Sequence, residues 1–392
     1  MLLAIAAFSL SLLGTFLVRS GVLTSVHSFA TDPKRGIFIL GFLTVVIGGS
    51  LLLFAWRAPK IGLGGKFDMV SRESMLLSNN VLLSVAAASV FIGTLYPLFM
   101  DALGMGKLSV GPPYFEAVFV PLMALAVLMM GFGALARWKQ TSVTELTKRV
   151  RWGFAAAFVL AVLLPFVFNH WTPMIAFGLL LSFWIIASLV VSLQQRWAGQ
   201  GSFMQRVRSQ SLSYYGMQFA HFGVAIFIIG VTVVKGYATE RDVRMNMGET
   251  VDAGGYVFRF DGVREINGPN YVAAEGHFTV TKDGKRVTEL LPQKRHYNAS
   301  GMPMTEAAID TGLVRDLYVS LGEPIPETQS AWAVRVYYKP FVDWIWVGCL
   351  MMALGGAMAI SDRRYRIHSK KANRIEGGLP AGRAIASGGK VS

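Results

Sequence analysis

The chain has 392 residues, with 37 Lys and Arg against 23 Asp and Glu, a formal net charge of +14. Apolar residues make up 53% and charged residues 15%, and the apolar ones come in blocks of about 20 rather than in a 3.6-residue stripe. That pattern excludes a water-soluble globular chain and defines an integral membrane protein. The single cysteine, Cys349, excludes a disulfide scaffold, and no CxxC motif is present.

In chain order, the apolar blocks at 2–18, 36–56, 78–100, 114–136, 152–169, 173–193, 213–235 and 340–361 predict eight spans. The first block has neither the basic start nor the small-residue cleavage site of a signal peptide, so it reads as a span. Orientation follows from Lys and Arg, which resist crossing a bilayer. Loops 57–77, 137–152 and 194–212 carry four, five and three of them, and the tail after Ser361 carries eight. Loops 19–35, 101–113 and 170–172 carry three, one and none. The first set is expected to be cytoplasmic, with both termini on that side. The positive excess therefore reflects orientation and anionic lipid, not a nucleic-acid partner.

Seven spans fill residues 1–235, and a near-neutral polar stretch at 236–339 precedes the last one. That stretch reads as strands. YVFRFDGV from Tyr256 alternates, HFTVT follows from His277, and KDGK at 282–285 supplies an Asp-Gly hairpin turn before RVTELL. AWAVRVYYKP from Ala331 is a further strand, ending at Pro340 where the last helix can begin. The expected architecture is an all-α polytopic membrane protein of about eight transmembrane helices, with a small β-rich outer domain inserted before the last helix. Its outer module is expected to be a small antiparallel sheet or open barrel, and 362–392 a basic cytoplasmic tail. Lys339, Asp343, Trp344 and Trp346 mark the outer membrane boundary of the last span, and DRRYR at 362–366 reads as a stop-transfer cluster.

Of the histidines at 27, 170, 221, 277, 296 and 368, only His221 lies inside a span. It follows Ser213 by eight residues, about 12 Å below the cytoplasmic face, where an ionisable group is costly and functional by default. At 100° per residue, Tyr214, Met217, Gln218, Val224, Ala225 and Ile228 lie within about 60° of it. Gly216, Ala220, Gly223 and Gly230 fall on the opposite side, a face suited to close helix contact. The polar face suits a cofactor, with Gln218 fixing the imidazole tautomer, or a histidine hydrogen-bonded to a neighbouring helix. His27 sits in an outer loop, where it is either a ligand or simply hydrated. His170, beside Trp171, reads as interfacial filling. One metal ion cannot hold both His27 and His221. Axial nitrogens stand about 4 Å apart, and these residues differ in depth by about 15 Å or more.

GTFLVRSGVLTSVHSFATDPKRGIFIL from Gly14 to Leu40 closely resembles the CcmF family of cytochrome c maturation proteins. QFAHFGVA at 218–225, GLVRDLYVSLGE at 312–323 and WAVRVYYKPFVDWIW at 332–346 extend the resemblance over nearly the whole chain. It implies a haem-handling subunit of a holocytochrome c synthase, or haem lyase, in the bacterial inner membrane, with 236–339 periplasmic. Such a subunit takes haem from the chaperone CcmE and, with CcmH and CcmI, helps attach it to apocytochrome c. The resemblance further implies that His27 ligates the transient haem delivered by CcmE. His221 ligates a resident haem b that reduces the incoming iron, and Arg19 pairs with propionates. The rival reading is a non-catalytic membrane haem-transport or assembly scaffold subunit.

Family members also carry a Trp-rich WWD segment and a partner histidine for each haem ahead of the region matched here. This sequence contains none of them, and Met1 falls where a mid-protein span is expected. The expectation is a C-terminal portion, from a truncated frame, an internal start or a split gene. It would bind haem weakly alone and need the N-terminal half in trans, because one imidazole per iron leaves an axial position open.

Overall fold

The computed structural model describes residues 2–20, 33–60, 68–106, 108–168, 170–198, 202–298, 303–325 and 331–362. It divides into two compact units, Met1–Leu146 and Thr147–Ser392. In the first, α1 (Leu2–Ser20) packs on α2 (Pro33–Arg57), and α3 (Arg72–Ala102) on α4 (Pro112–Gly133). Tyr114 fixes the α3–α4 pair by lying over Gly93 and donating its hydroxyl to the Ser89 carbonyl at 3.0 Å. Ser71 caps α3, its Oγ accepting from the Ser74 N–H at 3.1 Å.

Helix α5 (Val143–Val167) opens the second unit's membrane layer, followed by α6 (Pro173–Trp197), α8 (Leu212–Tyr237) and α9 (Val342–Ile360). Among the described residues, seven helices are long and apolar enough to cross a membrane, and Leu2–Val18 is a shorter apolar helix. Each expected span is helical, but several begin earlier than hydropathy indicates, α3 and α5 by the most. Helix α5 begins at Val143 rather than 152 and α3 at Arg72 rather than 78, because backbone hydrogen bonding continues through charged turns that hydropathy reads as loop. A short helix, α7 (Phe203–Ser209), lies in the loop before α8, started by a Ser202/Gln205 capping box.

Glycines set how α8 meets α9. A Cβ added at Gly216 would stand 2.5 Å from the Gly355 carbonyl oxygen, one at Gly223 would stand 2.8 Å from that of Gly348, and one at Gly230 would stand 2.8 Å from the Ile345 nitrogen. The two backbones therefore touch over three levels spaced seven residues apart on α8. This is the contact anticipated for its small-residue face, and the partner is the last span.

Between α8 and α9 the described residues form ten strands. β1 (Thr239–Met245), β10 (Trp332–Pro340), β9 (Arg315–Pro324) and β8 (Ala308–Asp310) make one antiparallel sheet in that order. The second runs β2 (Thr250–Ala253), β3 (Tyr256–Asn267), β4 (Tyr271–Lys282), β6 (Gln293–Tyr297), β7 (Pro303–Glu306), with β5 (Lys285–Leu290) also pairing β4. Phe258, Phe260, Phe278 and Val280 of the second sheet and Leu317, Val319, Leu321, Val334 and Val336 of the first are buried in one core. The module is thus a two-sheet sandwich rather than a single sheet or an open barrel. The 282–285 turn is the expected hairpin, with Asp283 and Gly284 at φ 51° and 73°. The last helix starts two residues later than Pro340. Pro340 is still strand, and Phe341, at φ 56°, turns the chain into α9.

Glu275, on β4, is almost wholly buried. Burial raises its pKa, but hydrogen bonds from Arg264 Nη2 at 2.6 Å and Gln293 Nε2 at 2.7 Å outweigh that, so it lies below the usual carboxylate range. A depressed carboxyl stabilises the fold above its unfolded pKa, about 4.3, and loses that contribution as pH falls through the folded value. Two outcomes are expected. Glu275→Gln lowers stability by about 1–3 kcal/mol at pH 7, and thermal melts of mutant and wild type converge as pH drops below 4. Gly355→Ala, whose Cβ would meet the Gly216 carbonyl oxygen at 2.5 Å, destabilises the helix pair by about 1–3 kcal/mol in detergent unfolding, whereas Gly356→Ala, with nothing within 4 Å, does not.

Candidate functional site

With the glycine face of α8 committed to α9, its opposite face meets α6. Ser182 Oγ of α6 donates to the Ala225 carbonyl at 3.0 Å. Nearly three turns further along α6, Ser192 Oγ accepts from Gln218 Nε2 at 2.9 Å and meets the Tyr214 hydroxyl at 2.9 Å. Arg196 lies over the Tyr214 ring, 4.9 Å from its centre, and Trp197 Nε1 donates to the Tyr215 hydroxyl at 3.3 Å. These contacts pin the stripe Tyr214–Gln218–Ala225 to α6 at three heights.

His221 belongs to the same stripe, one turn from Gln218 and one from Ala225, so its depth and rotation are fixed from both ends. It is half-buried and its Nδ1 is sheltered from solvent. Met217, Val224 and Ile228, on its other flank, are also half-buried, giving the imidazole an apolar surround. Gln218 is buried, and its Oε1 has no hydrogen-bond partner among the described residues. The amide sits between Ser192 and the imidazole turn with one acceptor unused, as a group does when a further donor completes it.

Of the other residues singled out, His27 and the side chain of Arg19 lie outside the described residues, as does His368. His170 is at the far end of α8, where its carbonyl accepts from the Tyr237 hydroxyl at 2.8 Å. His277 and His296 lie in the sandwich, where His277 stands 3.6 Å from both Glu275 and Glu289. Among the described residues no group of three or more His, Cys, Asp and Glu could hold a metal ion. The site therefore offers one nitrogen ligand on an apolar helix face.

Three contributing residues do not stand out in the sequence. Ser182 and Ser192 are hidden in the apolar run of α6, and at 100° per residue they lie about 80° apart, so no single-face pattern marks them. Asp362, read as part of a stop-transfer cluster, is buried and accepts from the Ser213 N–H at 3.0 Å, closing the start of α8 against the end of α9.

These features define a class: a multi-pass membrane protein in which a β-sandwich joins two glycine-packed helices, one bearing an intramembrane imidazole. Residues 236–340 match the family model described as CcmF C-terminal beta-sandwich. The cytochrome c-type biogenesis protein CcmF of Pseudomonas aeruginosa is 50% identical over 378 residues, covering 96% of this chain and 57% of that protein. Its Escherichia coli K12 counterpart is 47% identical over 367 residues, 93% of this chain and 55% of that protein. A solved structure titled Cytochrome c Heme Lyase CcmF shares the fold with a TM-score of 0.67 at 22% identity, covering 91% of this chain and 53% of that one. The chain belongs to the CcmF family, and it spans a little over half the length of the curated relatives it matches.

Proposed function

We propose that this chain handles haem during cytochrome c maturation in the bacterial inner membrane, with the sandwich on the periplasmic side. The observation that carries the reading is His221. It is an imidazole at mid-span, on the stripe of α8 that Ser182 and Ser192 fasten to α6 and opposite the glycine contact, in a chain half identical to a cytochrome c-type biogenesis protein. Keeping an ionisable group at that depth calls for a partner that gains from it.

In this reading His221 would hold the iron of a resident haem b, with a further ligand coming from outside the described residues. Bound there, the haem supplies one-electron chemistry in a dry surround. Ser192 holds the Gln218 amide one turn from the imidazole, and in this reading Gln218 would position the ring once haem is bound rather than act as a ligand. Met217, Val224 and Ile228 keep water from the ring. His27, on the outer loop, takes the haem delivered as substrate by CcmE, and Arg19 pairs with its propionates. CcmH, CcmI and apocytochrome c complete the transfer. The two histidines thus serve different haems at different depths.

Expression of the protein with the other maturation components, followed by reduced-minus-oxidised spectra of the membranes, tests each assignment. In His221→Ala the b-type signal is expected to disappear, and an unchanged signal removes this residue as a ligand. In His27→Ala the b-type signal is expected to persist while holocytochrome c falls to background, and normal maturation in that variant leaves His27 a hydrated loop residue.

A further inference from the structure

The β8–β9 turn presents two large apolar side chains that the sandwich core does not use. Leu313 is 70% exposed and Val314 60% exposed. The turn is rigidly built. Arg315 N–H donates to the Gly312 carbonyl at 3.2 Å, Gly312 N–H to Asp316 Oδ1 at 3.2 Å, and Arg315 Nη1 to the Asp310 carbonyl at 3.0 Å. Its outward-facing residues are therefore set by the fold, not by chance loop geometry.

The height of this turn relative to the membrane follows from α9. The helix is 19 residues long, about 28 Å, close to the roughly 30 Å of a hydrocarbon core, so its first turn stands at the edge of that core. Two hydrogen bonds tie the β8–β9 turn to that level. Phe341 N–H donates to the Val314 carbonyl at 3.1 Å, and Trp344 Nε1 donates to the Leu313 carbonyl at 3.0 Å. Trp346, 66% exposed, stands at the same end of the helix. Cations flank this end of the sandwich as well. Lys282 Nζ lies 4.7 Å and the Arg315 guanidinium 5.5 Å from the centre of the Tyr256 ring, which stacks on Tyr338, two residues before Pro340.

We infer that Leu313 and Val314 insert into the lipid surface beside the start of α9, making the β8–β9 turn a membrane anchor for the sandwich. An apolar pair level with two indoles and bordered by cations has the composition of an interfacial segment, with rings and aliphatic tips below and charges at the headgroups. Met247 provides the contrast. It is 68% exposed, but it follows β1, whose seven residues carry the chain about 20 Å along the strand from the end of α8.

The chain's only cysteine makes the test direct. In a Cys349→Ser background, single cysteines replace Leu313, Val314, Met247 and Leu350, the last a 64%-exposed residue within α9. Each full-length variant carries a nitroxide label in phosphatidylethanolamine–phosphatidylglycerol vesicles, and its relaxation by oxygen, which favours lipid, is compared with that by a water-soluble nickel chelate. The expected result is an oxygen-to-nickel ratio several-fold higher at 313 and 314 than at 247, approaching that at 350. A ratio at 313 and 314 equal to that at 247 places the turn in water and overturns the inference. Protection from both relaxing agents also overturns it, by showing that another protein surface covers the turn.

Discussion

The backbone contact between α8 and α9 is the constraint from which the rest of the second unit follows. Gly216, Gly223 and Gly230 on one helix and Gly348 and Gly355 on the other leave no room for a side chain between them. Lipid tails are as apolar as leucine, so helices in a bilayer gain little from apolar contact as such and rely on close packing. Once the small-residue face is spent in this way, α8 has only its opposite side to offer to α6 and to a ligand.

That opposite side is polar at chosen heights. Ser182 and Ser192 of α6 engage the Ala225 carbonyl and the Gln218 and Tyr214 side chains, so α8 is held between a glycine seam and a serine seam. Each seam limits rotation of the helix about its axis. His221, between the two serine contacts, inherits the resulting orientation without being the residue that secures it. A helix pinned on both sides holds the imidazole in one orientation.

The same helix pair also governs the outer module. α8 continues directly into β1 and β10 into α9, and β1 pairs with β10 in register from Thr239 opposite Tyr338 to Met245 opposite Trp332. Helix pair and strand pair therefore form one antiparallel ribbon that runs from the membrane interior into the sandwich. Asp362 closes its far end on the Ser213 N–H, and the Leu313–Val314 turn bonds the start of α9 to the sandwich.

By itself, the sequence determined the spans, the inserted strands, the Asp283–Gly284 hairpin and the two-faced character of α8. Those follow from local hydropathy, turn chemistry and a fixed 100° step. It also isolated His221, because an ionisable residue in an apolar run stands out without any partner in view. Only the tertiary structure decided that the glycine face meets α9, that Ser192 rather than the imidazole takes the Gln218 amide N–H, that Asp362 caps α8, and that the strands close as two sheets. Each of these joins residues far apart in the chain: 149 positions separate Ser213 from Asp362. No local pattern encodes which of several apolar helices will be the neighbour. The choice depends on how whole surfaces fit, and that fit exists only once the chain has folded.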